Sequence, residues 1–258
     1  MIDGCSPRAA DPVPTGPGLE RRLPPAALAA GLRAVIFDMD GLMLDTERWD
    51  RAAWRQVIAA HGHTLTDEFF ATLVGRRETD TAQRMREQFG PDFPFDTARA
   101  QARAHFDHWM EHRPPPLKPG LLPLLDTLQS RGIALAVASS TARSRATLRL
   151  RDLAGHFDVS VFGDEVRQAK PHPEIYLKAL ALLGVSPVRA LALEDSPPGW
   201  AAAQAAGLTT VVIPDLLPPP PGAAYVCNSL TELEQWIQLA RSDAGMRGLR
   251  PRAPGPRR

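Results

Sequence analysis

Short, uninterrupted apolar runs punctuate the chain. Ala34-Val35-Ile36-Phe37 is the first, and residues 134–138, 190–193 and 210–213 follow. Runs of this length that are apolar at every position suit strands buried on both faces. Between and around them lie longer stretches, 120–131, 142–153, 174–184 and 198–207, with prolines near their starts and glycines near several of their ends, as helix punctuation requires. Strands alternating with helices predict an α/β fold: a doubly wound, mostly parallel Rossmann-like sheet.

One stretch breaks the alternation. Residues 49–112 show no strand pattern, only helical patterns over 48–61, 67–74, 78–89 and 97–113, separated by Gly62, Gly75 and Gly90-Pro91. The stretch ends at the stiff Pro114-Pro115-Pro116. An all-helical insertion after the first strand is the simplest account. The expected organisation is a flexible Pro-rich tail over 1–30, with a short helix near 26–30, and a core segment over 31–48. The helical insertion follows over 49–113, then the rest of the core over 114–241, and a basic flexible tail over 242–258.

Composition narrows the function classes. At 258 residues, 44% hydrophobic and 23% charged, the chain can bury a full core. A net charge of +1 gives no reason to expect nucleic acid or an anionic membrane. The arginines at 247, 250, 252, 257 and 258 could touch nucleic acid, but no aromatic element accompanies them, so a solvated tail is the expectation. Two distant cysteines, Cys5 and Cys227, exclude a disulfide framework. With no apolar run long enough for a bilayer and no secretory pattern, a reducing cytoplasm is expected, and nothing calls for an obligate protein partner.

The chemistry concentrates at strand ends. Asp38 and Asp40 follow the first strand at i and i+2, a spacing that turns both carboxylates to one face, and Gly41 permits a sharp departure there. Two such acids repel and call for a cation or a shared proton. The run 134–138 ends in Ser139-Ser140-Thr141, hydroxyls suited to a phosphate oxygen. Lys170 precedes a rigid Pro171-His172-Pro173 turn and offers a compact positive charge. The run 190–193 ends in Glu194-Asp195, which can complete an oxygen-only site of the kind magnesium prefers. Singly, these read as a turn, a helix cap, a surface lysine and a capping acid pair. In this order they converge on phosphate plus magnesium.

That order resembles the haloacid dehalogenase superfamily, whose four motifs match residues 38–45, Ser139, Lys170 and Glu194–Asp195, over roughly residues 32–239. The resemblance implies a doubly wound sheet with a helical cap inserted after the first motif. It further implies Asp38 as nucleophile, forming an aspartyl-phosphate, and Asp40 as general acid and then base. Magnesium would be held by the Asp38 carboxylate, the Asp40 backbone carbonyl and Asp195, with Glu194 in or next to that shell. Ser139, the Ser140 amide and Lys170 would clamp the phosphoryl oxygens.

Within the superfamily, Asp40 argues against metal-free dehalogenation. The stretch Asp45-Thr46-Glu47 followed by Trp54 looks like the beta-phosphoglucomutase subgroup, but Asp50 stands where those mutases carry a histidine. Hydrolysis of a small phosphorylated metabolite, a sugar phosphate or similar, is therefore expected over mutase chemistry. A silent phosphate-binding module is the reading from another class, and no catalytic acid is lost to support it. In the insertion, Arg76 and Arg77 could face a second anionic group or form a solvated basic turn. Glu47 could bind a substrate hydroxyl or pair with an arginine. The pairs His61/His63 and His105/His108 lack a supporting ligand pattern for zinc and are expected to be surface or packing residues. Trp49, Trp54 and Trp109 are expected in the core of the insertion.

Overall fold

The computed structural model describes residues 24, 26–74 and 78–247. Of the tails expected over 1–30 and 242–258, residues 1–23, 25 and 248–258 lie outside the described residues, as do Arg76 and Arg77. The core elements begin with α1 (Ala26–Gly31) and β1 (Ala34–Phe37). After an intervening block of helices come α6 (Leu121–Ser130), β2 (Ala134–Ser139), α7 (Arg143–Leu150), β3 (Val159–Phe162), α8 (Glu174–Leu183) and β4 (Ala190–Glu194). α9 (Pro197–Ala205), β5 (Thr209–Val212), β6 (Tyr225–Val226) and α10 (Leu230–Arg247) complete the chain. The six strands lie in the order β3-β2-β1-β4-β5-β6, every neighbour parallel.

The period of two within each strand sorts its side chains between two cores. Val35 and Phe37 of β1, Leu135 and Val137 of β2 and Leu191 and Leu193 of β4 enter the cluster with α6 and α10. Ala34, Ile36, Ala136, Ala138, Ala190 and Ala192 face α8 and α9. Large side chains thus fill one face, and alanines let the helices of the other approach closely.

Four helices fill the space between β1 and α6: α2 (Glu47–Ala60), α3 (Asp67–Ala71), α4 (Glu78–Phe89) and α5 (Phe95–His112). They form a cap with a core of its own, including Trp49, Trp54, Phe95 and Met110. Trp54 stacks on Phe95 with ring centroids 6.1 Å apart, and Trp109 meets Trp49 edge-on at 6.3 Å. Stacked aromatics of this kind contribute beyond their buried area, which gives the cap an independent hydrophobic anchor.

Several boundaries differ from the sequence expectation. β3 and β6 went unpredicted: they are the two edges of the sheet, partly exposed, and so lack an all-apolar run. The second cap helix, expected over 67–74, stops at Ala71, where the Thr72 hydroxyl turns back to donate to Phe69 O at 2.8 Å. The helix expected over 142–153 ends at Leu150, because Arg151 takes φ 38° and opens a 3₁₀ segment over Arg151–His156. The last helix runs on to Arg247, past Ser242, where a flexible tail was expected to begin.

Candidate active site

The strand order reverses around β1, and ligands of open α/β sheets bind beyond the strand carboxyl ends at such a point. There Asp38 extends β1, its amide donating to Leu193 O at 3.0 Å. Ser139 closes β2 and Glu194 closes β4. The Lys170 ammonium reaches across all three strands: Nζ lies 2.6 Å from Asp38 Oδ1, 2.6 Å from Glu194 Oε1 and 2.9 Å from Ala138 O. An ammonium has three protons, so this buried charge is fully satisfied. The Tyr176 hydroxyl also donates to Glu194 Oε1, and Ser196 Oγ lies 3.2 Å from Oε2. Glu194 is thereby held as the partner of Lys170, and a Cβ at Gly199 would press within 2.0 Å of its carboxylate.

The electrostatics follow from burial. Asp38 is pushed up to about 7, by burial first and by Glu194 and Asp40 next, with Lys170 pulling the other way. Burial works against the Lys170 charge, but Asp38 and Glu194 outweigh it and raise its pKa well above the ordinary value. Asp195 is raised well above the usual carboxylate range by burial and by the charges of Asp38 and Glu194. One carboxylate oxygen from each of Asp38, Glu194 and Asp195 lies within 4.8 Å of the others. Three carboxylates around one ammonium leave excess negative charge in an all-oxygen nest, so the donor set fits a divalent magnesium ion.

Gly41 makes that nest possible. It takes φ +85°, and a Cβ there would come within 2.1 Å of Asp195 Oδ2. Gly41→Ala is expected to displace Asp195 and weaken magnesium affinity about 10–100-fold, read from the magnesium dependence of activity. An unchanged titration would refute the role of this turn.

Asp40 is positioned by residues that sequence reasoning did not assign. Thr141 Oγ1 donates to Asp40 Oδ2 at 2.8 Å, and Arg149 Nη1 to Asp40 Oδ1 at 2.7 Å. Arg149 also lies over the Phe106 ring of α5, 4.9 Å from its centroid, so one guanidinium links the second acid to the cap. Thr141 had been read as a phosphate hydroxyl; its proton is instead directed at Asp40. Of the other two hydroxyl-run members, Ser139 is buried and its Oγ accepts from Thr141 N at 3.1 Å, while Ser140 is exposed. Neither Arg149 nor Tyr176 carries a sequence signal: one sits in a polar helix and the other occupies a buried helical position that reads as core.

Two cavities meet at Asp40 and Glu47. The smaller, ≈ 440 Å³, is lined by Asp38, Ser139, Ser140, Lys170 and Asp195 among others. The larger, ≈ 670 Å³, opens between cap and core and includes Asp50, Trp54, Arg99, Arg103 and Arg149. Among the described residues no arginine pairs with Glu47. Burial, then Asp50, Asp215 and Asp40, pushes Glu47 up to about 8, and burial pushes Asp50 up to about 6 against Arg149 and Arg103. Glu47 therefore keeps its proton to a higher pH than an ordinary carboxyl does.

A raised carboxyl pKa means the folded chain holds a proton that the unfolded chain releases, so Glu47 costs stability as pH rises from 4.5 to about 8. Glu47→Gln should be progressively more stable than the wild type across that window, as read by Tm against pH. A constant difference would place Glu47 in water.

The model of the haloacid dehalogenase-like hydrolases matches residues 32–207. The chain belongs to that family. Among curated members it is 35% identical over 188 residues to "Phosphorylated carbohydrates phosphatase" of Thermotoga maritima, covering 70% of this chain and 84% of the relative. It is 33% identical over 182 residues to "Fructose-1-phosphate phosphatase YqaB" of Escherichia coli, covering 69% and 94%. Among solved structures, CbbY from Rhodobacter sphaeroides in complex with phosphate superposes with a TM-score of 0.62 at 30% identity, covering 78% of this chain and 96% of that one. As a haloacid dehalogenase-like hydrolase, the chain has the doubly wound core and helical cap expected from its sequence. Of the predicted site residues, Asp38, Asp40, Ser139, Ser140, Lys170, Glu194 and Asp195 gather at one end of the sheet, with Glu47 at their edge.

Proposed function

We propose that this chain is a magnesium-dependent phosphatase of a small phosphorylated metabolite, a sugar phosphate or close analogue. The observation that carries the reading is the single buried ammonium of Lys170 joined to Asp38 and Glu194, with Asp195 alongside, on the wall of one cavity. The two curated relatives named above are named as phosphatases of phosphorylated carbohydrates and of fructose 1-phosphate, which supports the reaction class and the substrate class.

In the proposed sequence an Asp38 carboxylate oxygen attacks phosphorus, and the bond to the leaving oxygen breaks. Asp40 gives that oxygen its proton. Water then attacks the aspartyl-phosphate, Asp40 takes its proton, and Asp38 is regenerated as inorganic phosphate departs. Asp38, the Asp40 backbone carbonyl and Asp195, with Glu194 beside them, would hold magnesium. That ion supplies charge neutralisation to the phosphoryl oxygens. Ser139 and the Ser140 amide would donate to the same oxygens, and Lys170, its protons held by Asp38, Glu194 and the Ala138 carbonyl, would act on them through its charge. Thr141 and Arg149 hold Asp40 in place between the two cavities. On the wall of the larger cavity, Glu47 is the proposed partner of a substrate hydroxyl. Arg76 and Arg77 remain the proposed partners of a second anionic group. The cytoplasm is the proposed compartment; the buried free thiol of Cys227 supports it, and no described helix is long and apolar enough to cross a membrane.

The purified chain should release phosphate from p-nitrophenyl phosphate with magnesium and lose that activity with EDTA. A panel including fructose 1-phosphate ranks the natural substrates. Given beta-glucose 1-phosphate and its bisphosphate, it should yield free phosphate; glucose 6-phosphate as the main product would overturn hydrolysis in favour of the mutase reading.

A further inference from the structure

The last turn of α5 carries three exposed side chains that no part of the phosphatase reading uses: His108, Glu111 and His112. They stand at i, i+3 and i+4, the spacing that places helical residues on one face one above the other. Each offers a ligand atom within 4.8 Å of the other two. The two imidazole centroids are 4.2 Å apart. The histidine pairing weighed from sequence, His105 with His108, is not the one the fold makes. His105 instead lies against Trp109, 6.3 Å between centroids, while His61 and His63 pack on Phe93 and Phe89.

We propose that His108, Glu111 and His112 form a second metal site, on the cap surface, for a borderline divalent transition ion of the zinc type. Three observations carry it beyond a chance grouping. First, two imidazoles and one carboxylate are the donor set such ions select over magnesium, which keeps to oxygen. Second, His112 Nδ1 lies 2.7 Å from the His108 carbonyl oxygen. A carbonyl only accepts, so Nδ1 carries the proton and Nε2 is left with its lone pair. Protein histidine ligands are oriented in this way, by donating the other ring N–H to a carbonyl or carboxylate. Third, the site occupies the carboxyl end of an 18-residue helix, the end at which the helix dipole favours a cation.

The core grips the same turn. Arg151 Nη2 donates to the carbonyl of Glu111 at 3.1 Å and also to that of Met110. The ion would therefore clip the last turn of α5 where the chain leaves the cap for the core. Water completes its coordination, because all three side chains face solvent. The proposal is independent of the phosphatase reading: the sites share no residue, and their preferred ions differ.

The test is calorimetric titration of zinc chloride into the untagged full chain with magnesium in excess. One saturable site is expected in the wild type and equally in Asp195→Asn. His108→Ala and His112→Ala should each weaken it about tenfold or more, a loss of the size seen when even supporting groups of metal ligands are removed. His105→Ala should leave it unchanged. Zinc should raise Tm of the wild type and not of the His108→Ala/His112→Ala double variant, since ligand binding to the native state alone stabilises it. Unaltered uptake in that double variant, or uptake lost in Asp195→Asn, would overturn the site. All three positions are exposed, so the variants should keep the wild-type circular dichroism. Should one variant fail to do so, Glu111→Gln, which changes only a carboxylate oxygen, gives the same decision by weakening uptake or leaving it intact.

Discussion

Asp38→Asn should lose phosphate release by a factor on the order of 10⁴ or more, comparable to removing the nucleophile in other covalent catalysts. The amide keeps the shape of the carboxylate but lacks an anionic oxygen to attack phosphorus. Its carbonyl oxygen can still accept from Lys170, whose Nζ lies 2.6 Å from Asp38 Oδ1, so the fold should hold. The variant should still bind phosphate in the cavity it shares with Ser139 and Lys170, seen as a rise in Tm with inorganic phosphate and magnesium. Rapid quench of the wild type with a labelled substrate should trap an acid-stable protein phosphate, and the variant should trap none. Activity above about a hundredth of the wild type's would remove Asp38 from the role of nucleophile.

Lys170→Ala should be costly to both activity and stability. Nearly all of the ammonium is buried, and it compensates Asp38 and the fully buried Glu194. Deleting one partner of a buried ion pair leaves uncompensated charge and costs about 3–5 kcal/mol. The loss should deepen as pH rises above about 4, because Asp38 ionises freely in the unfolded chain, whereas in the folded variant burial would raise its carboxyl without Lys170 to pull it back down. Magnesium should raise the variant's Tm more than the wild type's, by supplying the cation that the carboxylates lack. Turnover should fall about 10²–10³-fold, the usual cost of one preorganised charge contact to a developing anion. Lys170→Arg should not rescue it, since a planar guanidinium cannot aim from one point at Asp38, Glu194 and the Ala138 carbonyl. Chemical denaturation at pH 8 reads the stability; a variant as stable there as the wild type would show that the charge is not buried against its partners.

How far the sequence reached depended on how local each signal was. β1, β2, β4 and β5 announced themselves because strands buried on both faces of a parallel sheet carry short apolar runs, Val211-Val212 following two threonines in the case of β5. The edge strands β3 and β6 are partly exposed, so their composition is mixed and no run marks them. The strand-free stretch showed as four helical patterns because amphipathic periodicity is legible over a few turns. In the site, Asp38, Asp40, Ser139, Lys170, Glu194 and Asp195 were legible because each stands directly after a recognisable strand or before a rigid proline turn.

Contacts between distant segments were not legible. Nothing in residues 143–150 says that Arg149 will meet Asp40, 109 positions away, or that Tyr176 will bond the Glu194 carboxylate. The same holds for Lys118, which spans to Asp215 at 2.6 Å behind the catalytic loop. The histidines of the cap were expected as surface or packing residues, and His61, His63 and His105 do lie against Phe93, Phe89 and Trp109. By itself, then, the order of residues determined which groups stand at the strand ends and that a helical cap interrupts the core, because backbone periodicity and turn chemistry act over a few neighbours. Only the tertiary structure decided which charges share a cavity and what their protons do, because burial and Coulomb interaction depend on distance through space.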